Sequence, residues 1–186
     1  MFRHGFKTWA ENTALATRRR LGLRPTDPID LKSLASHLGA RVIAPEEVPD
    51  IEQAVLDTLL KKDPRSWSAI TIRSEGQIVI VVNSSHTKAR QASNLAHELS
   101  HLLIGHGGSK MGISPDGLLL TAYDKQQEEE AGWLAGCLLL PRAACVHIKK
   151  KRLADAVSTK EYGVSPEMLR FRLNASGAEK ESKNGK

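Results

Sequence analysis

The residues best suited to chemistry in this chain are His97-Glu98-Leu99-Ser100-His101. Two histidines four apart share one face of a helix, so both imidazoles can grip a single cation. Glu98 falls one position off that face, where its carboxylate can reach a water polarised by the cation and take its proton. Five residues can match by chance, so the flanks must support the reading. From Thr87 to Ile104 there is no Gly or Pro. Ser84, Ser85 or Thr87 can cap the start and Gly105 can end the run. Ala92, Leu95, Ala96, Leu99, Leu102 and Leu103 recur at three- and four-residue spacing, which predicts an amphipathic helix with the histidines beside its apolar stripe.

A catalytic zinc site usually takes three protein ligands and keeps one position open. A third histidine ten residues after the first, preceded by a Gly at the seventh, would mark one solution. Here Gly105 and His106 come eight and nine after His97, out of register, so His106 is not read as a ligand. The other common solution is a glutamate on a second helix. Residues 126 to 141, from Gln126 through Glu128-Glu129-Glu130-Ala131 to Leu138-Leu139-Leu140-Pro141, supply three candidates. Acids at a helix start are often only dipole partners. Leu134 and Leu138 continue the face of Glu130 at four-residue steps, so Glu130 is expected to point inward and to be the ligand, with Glu129 and then Glu128 behind it.

These residues together resemble the ImmA/IrrE family of bacterial metallo-endopeptidases. The likeness runs through His97-Glu98-Leu99-Ser100-His101, then Glu130-Ala131 about thirty residues on, Ala135, Leu138-Leu139-Leu140-Pro141, and Arg90 seven before the first histidine. It spans roughly residues 30 to 142. Gly132 stands where the family usually has Asn, Leu140 where it has Met, and Trp133-Leu134 shifts the usual aromatic by one place. None of these removes a candidate ligand. The resemblance implies a zinc-dependent endopeptidase. It also implies a role in cleaving a repressor or anti-repressor, so that stress-response or mobile-element genes are switched on.

The rest of the chain must position this chemistry. At 186 residues and 40% hydrophobic content it is long enough for one domain with a small appendage, and the 4% aromatic content makes the core aliphatic. No apolar run reaches eighteen residues, so no membrane span is expected. Met1-Phe2-Arg3-His4-Gly5-Phe6-Lys7 lacks an apolar signal core, which predicts a cytoplasmic location, and Cys137 and Cys145 then read as reduced thiols. Cys137 lies within the ligand-bearing segment, but the ordinary reading is a small core residue. Helices are expected over 7–21, 31–38 and near 52–60. A strand is expected at 41–44, and strands at 67–73 and 77–83 form a hairpin around Ser74-Glu75-Gly76. An edge strand beside a metal site can bind extended substrate by backbone pairing. Residues 107–124 read as a loop with one short apolar segment, Leu118-Leu119-Leu120.

The net charge of +6 is concentrated at Arg18-Arg19-Arg20, at Lys149-Lys150-Lys151-Arg152 and in the tail. Such runs can attract nucleic acid, but a solvated helix face is the more ordinary reading. Residues 153–173 resemble a helix-turn-helix, with Gly163 at the turn, Ser165 as cap and Pro166 at the first helical position. Arg170 and Arg172 lie on its second helix, and packing is favoured over DNA contact.

The sequence therefore predicts an α+β fold with a small antiparallel sheet packed by helices and a zincin-like active helix. It divides into a peptidase domain over 1–148, a helix-turn-helix-like appendage over 149–174 and a disordered tail over 175–186. His97, His101 and Glu130 are expected to hold Zn2+, with Glu98 as general base. A donor to the developing oxyanion is also needed, and Tyr123 and His106 are the candidates. The expected partner is a cytoplasmic protein substrate, such as a helix-turn-helix transcriptional regulator. The alternative is a regulatory DNA- or protein-binding module with a non-catalytic zinc site. An intact Glu98 disfavours it, since a structural site needs no general base.

Overall fold

The computed structural model describes residues 2–74, 76–106, 111–113, 119–121 and 124–179. Tyr123 lies outside the described residues, as does most of the expected loop over 107–124, and so does the tail from 180 onward.

The first helix, α1 (Phe6–Arg20), buries Phe6, Ala10, Ala14, Thr17 and Arg18. Helix α2 (Leu31–His37) starts where Asp30 accepts hydrogen bonds from the Lys32 and Ser33 amides, a cap that stabilises a helix by about 1 kcal/mol. It leads into β1 (Ala40–Ile43). A 3-10 turn at Pro45–Glu47 and helix α3 (Gln53–Asp57), continued by a π-helical turn at Thr58–Lys62, carry the chain to a hairpin. Its strands are β2 (Ala69–Ser74) and β3 (Gln77–Val82), and Gly76 has the positive φ of 78° that so tight a turn requires.

The sheet order is β1-β3-β2. β2 runs antiparallel to β3, with Ala69 opposite Val82 and Thr71 opposite Ile80, while β1 runs parallel to β3, with Val42 opposite Ile80. The sheet is therefore mixed, where a wholly antiparallel one was expected. A tight turn forces the antiparallel pairing of β2 with β3. The long connection after β1 carries no such constraint and crosses over.

Asn83, fully buried after β3, donates to the Pro64 and Trp67 carbonyls and accepts from the Ser85 amide and hydroxyl. This knot turns the chain into α4 (Lys88–Ile104), capped by Thr87 and ended by Gly105 at φ 77°. Strands β4 (Met111–Ile113) and β5 (Leu119–Thr121) pair antiparallel where only loop with a short apolar stretch was expected. Helix α5 (Lys125–Leu139) is capped by Asp124, whose side chain accepts from the Gln126 and Gln127 amides.

α4 lies against the sheet and α5 against α4, while α1 covers another side of α5. Leu34, Ile80, Leu99, Leu134 and Leu138 are fully buried between them. Helices α6 (Arg142–Lys151), α7 (Asp155–Tyr162) and α8 (Pro166–Ala175) complete the described chain. The expected boundary at 148/149 falls inside α6. Ala178 is fully buried and Ser176 accepts a hydrogen bond from Arg142, so packing continues beyond the expected limit of order near 174. No single helix among the described residues is long and apolar enough to cross a membrane.

Candidate metal centre

His97 comes from the second half of α4 and His101 from its last turn, at the rim of its buried stripe of Leu95, Ala96 and Leu99. Their Nε2 atoms lie 3.1 Å apart. Glu128, in the first turn of α5, brings Oε2 to 3.0 Å from His97 Nε2 and Oε1 to 3.4 Å from His101 Nε2. Atoms held 2.0–2.1 Å from a tetrahedral ion stand about 3.3 Å from one another. One ligand atom from each of the three side chains lies within 4.8 Å of the other two, close enough for the three to share one ion. All three are partly exposed, so the cluster is reached from solvent. Burial, aided by the neighbouring His97, lowers the pKa of His101 to about 4. A neutral imidazole is the form that binds metal.

Glu130 is not brought to the histidine pair. It points inward as expected and is 2% exposed, but it meets Arg3, whose Nε and Nη2 lie 2.9 and 2.8 Å from its two oxygens. Gln126 donates to it at 3.2 Å, one helical turn back. Burial opposes its charge, yet the hydrogen bonds from Arg3 and Gln126 outweigh that and hold its carboxyl below the usual carboxylate range. Residues two apart on a helix are turned by roughly 200°, so Glu128 and Glu130 cannot face the same partner. Glu129, the second-ranked candidate, is not part of the cluster of potential ligands among the described residues.

Glu98 sits beside the cluster, half-buried, and its Oε2 accepts a 2.5 Å hydrogen bond from the Thr71 hydroxyl of β2. Thr71 was not foreseen as a site residue. The signal available was its place on the pleat opposite Ile70 and Ile72. The Asn83 amide donates to the Ser68 carbonyl, which fixes Ser68, Ile70 and Ile72 as the residues bonded to β3. The backbone N–H and C=O groups of Ala69, Thr71 and Arg73 therefore face the edge of the sheet that carries no further strand among the described residues, on the side where Thr71 meets Glu98.

His106 lies on the far side of His101 from the cluster, with the two Nδ1 atoms 3.0 Å apart. That geometry sets it against the ring nitrogen of His101 that does not face His97 and Glu128. Cys137 is wholly buried and burial pushes its thiol up to about 12, with Glu11 and Arg172 as charged neighbours rather than the histidines. It is a core thiol, and Cys145, also buried and raised, is another.

Two comparisons with known proteins bear on this arrangement. The family description of the IrrE N-terminal-like domain, Peptidase_M78, matches residues 58–174, which is more than half of the chain. Among solved structures, a Mycobacterium tuberculosis transcriptional regulator superposes with a TM-score of 0.50 at 17% sequence identity. The match covers 92% of this chain and 47% of the regulator, so the chain spans about half that protein's length. At this identity the likeness is one of fold. No curated protein matches the chain.

Proposed function

Given that the chain belongs to the IrrE N-terminal-like, Peptidase_M78 family, we propose that it is a zinc-dependent endopeptidase acting on a cytoplasmic protein. The observation that carries the reading is the convergence of His97, His101 and Glu128 beside a glutamate that does not join them, Glu98. A structural site has no use for such a group, whereas hydrolysis requires a base. His97 and His101 through Nε2, and Glu128 through its carboxylate, would hold the ion. Zinc suits two imidazoles and a carboxylate and, when bound, supplies a Lewis acid for the scissile carbonyl and for water.

The remaining work falls to the chain. Glu98 accepts the proton of the attacking water at its carboxylate and then delivers it to the leaving amine. Thr71, by donating to Oε2, fixes one oxygen and leaves the other free for the proton. The edge at Ala69, Thr71 and Arg73 pairs with an extended substrate backbone and lays the scissile bond along the side of the cluster reached from solvent. Such a site favours an unstructured segment or a linker. A transcriptional repressor or anti-repressor with an exposed linker between domains fits that requirement.

The likeness to a transcriptional regulator favours a second reading, a regulatory module in which the ion is not catalytic. Metal analysis addresses the site directly. Purified wild type should carry one zinc per chain, Glu128→Ala should lose most of it, and a chain whose zinc content is indifferent to Glu128→Ala would contradict the ligand set.

A further inference from the structure

Taking His101 as a ligand, as above, we propose that His106 and Glu130, anchored by Arg3, form an outer shell that fixes the tautomer and orientation of His101. Gly105 makes this arrangement possible. Its left-handed conformation ends α4 and folds the chain back, so that the His106 amide donates to the His101 carbonyl at 3.0 Å. The two rings then meet through Nδ1 atoms 3.0 Å apart, and His106 Nε2 lies 3.5 Å from Glu130 Oε2. His106 and Glu130 are both buried.

A metal held at Nε2 of His101 leaves the hydrogen of that imidazole on Nδ1, and His106 Nδ1, 3.0 Å away, is placed to accept it. The Nε2 of His106 then carries its own hydrogen on the side of Glu130 Oε2. Glu130 is in turn clamped by both arms of the Arg3 guanidinium. Arg3 is held near α5 because its neighbour Phe2 packs edge-on against Trp133, with ring centroids 5.2 Å apart, and Phe2 stacks on Phe6. The N-terminal segment, which no motif marks, thus reaches the metal centre through three side chains.

Zinc affinity of the full chain, measured by competition with a chromophoric chelator, tests this. His106→Leu should bind zinc about 10–100-fold more weakly, the usual cost of losing an outer-shell partner, while the circular dichroism of the metal-free protein is unchanged. His106→Asn places an amide oxygen near the position of Nδ1 and should restore affinity to within about threefold of wild type, since it still accepts from His101. Wild-type affinity in His106→Leu overturns the proposal, and so does an equal loss in His106→Asn, which would mean only packing was disturbed. If His106→Leu does not fold, Glu130→Gln decides. Removal of the charge should weaken zinc binding several-fold, and an unchanged affinity overturns the proposal. A folded wild-type chain that takes up no zinc would instead remove the metallopeptidase reading itself, before any variant is compared.

Discussion

Glu128 and Glu130 stand two residues apart on one helix and meet different partners, and the difference shows what can be read from residue types. The histidine pair follows from i, i+4 spacing within helix-forming flanks, and Glu98 from its place one residue after His97. The third ligand was sought by its inward direction, and that criterion correctly found the buried glutamate, Glu130, at 2% exposure. Glu128, which meets the histidine pair, is one-third exposed. Burial selected the glutamate that meets Arg3 instead of the one we propose as ligand. Thr71 escaped for another reason. Its contact with Glu98 joins residues 27 apart in sequence, and a lone threonine on a strand carries no mark of it. The contact has a measurable consequence. Thr71→Val keeps the shape and removes the hydroxyl, and a hydrogen bond to a charged group contributes about 1.5–3 kcal/mol. We expect kcat/KM on a peptide substrate to fall about 10–100-fold with zinc content unchanged. Unaltered kcat/KM would mean that Thr71 does not hold the base.

At the scale of elements, the caps and turns were the most legible features. Asp30, Thr87 and Ser165 cap the helices they were expected to, or were among those expected to, and Gly76 and Gly163 take the positive φ their turns require. The parallel pairing of β1 was not legible, because strand direction across a long connection is decided by packing and not by local sequence. Helix α5 offers a sharper test. It contains two glycines that look equivalent in sequence, each costing helix stability of roughly 1 kcal/mol against Ala. A Cβ at Gly132 would meet nothing within 4 Å, whereas one at Gly136 would lie 2.9 Å from Cδ of Arg172. Arg172 cannot yield readily, since its Nε is bonded to the Leu140 carbonyl and its Nη2 to Glu11. Gly132→Ala should therefore raise stability in urea unfolding by about 0.5–1 kcal/mol. Gly136→Ala should lower it by about 1–3 kcal/mol, the usual range for overpacking. Equal effects of the two substitutions would show that Arg172 gives way.

Over the whole molecule, the basic runs turn out to be of two kinds. Arg18 belongs to the run Arg18-Arg19-Arg20 but is fully buried, donating to the Leu138 and Asp27 carbonyls, and only Arg19 and Arg20 face solvent. Arg172, on the second helix of the helix-turn-helix-like unit, is likewise fully buried against α5, while Arg170 is exposed. Charge counts could not separate these, because a buried arginine is recognised only by the carbonyls and carboxylate it reaches. Two buried arginines meet the end of α5 from opposite directions in sequence, α1 through Arg18 and α8 through Arg172. Arg18 fastens α1, and Arg172 the C-terminal helix α8, to the helix that carries Glu128. The unit that resembles a DNA reader thus has one of its two arginines committed to packing. The central claim is that this chain hydrolyses a particular protein by means of Glu98. It is tested most directly by quantitative proteomics on cells producing wild type or Glu98→Gln at equal levels. General-base catalysis contributes roughly 10²–10⁴-fold in rate, and the glutamine keeps the shape but cannot take the proton. The account predicts that at least one protein is cleaved in cells with wild type and remains intact with Glu98→Gln, although the variant is folded and zinc-loaded. A proteome in which every cleavage product made by wild type is also made by Glu98→Gln would contradict it.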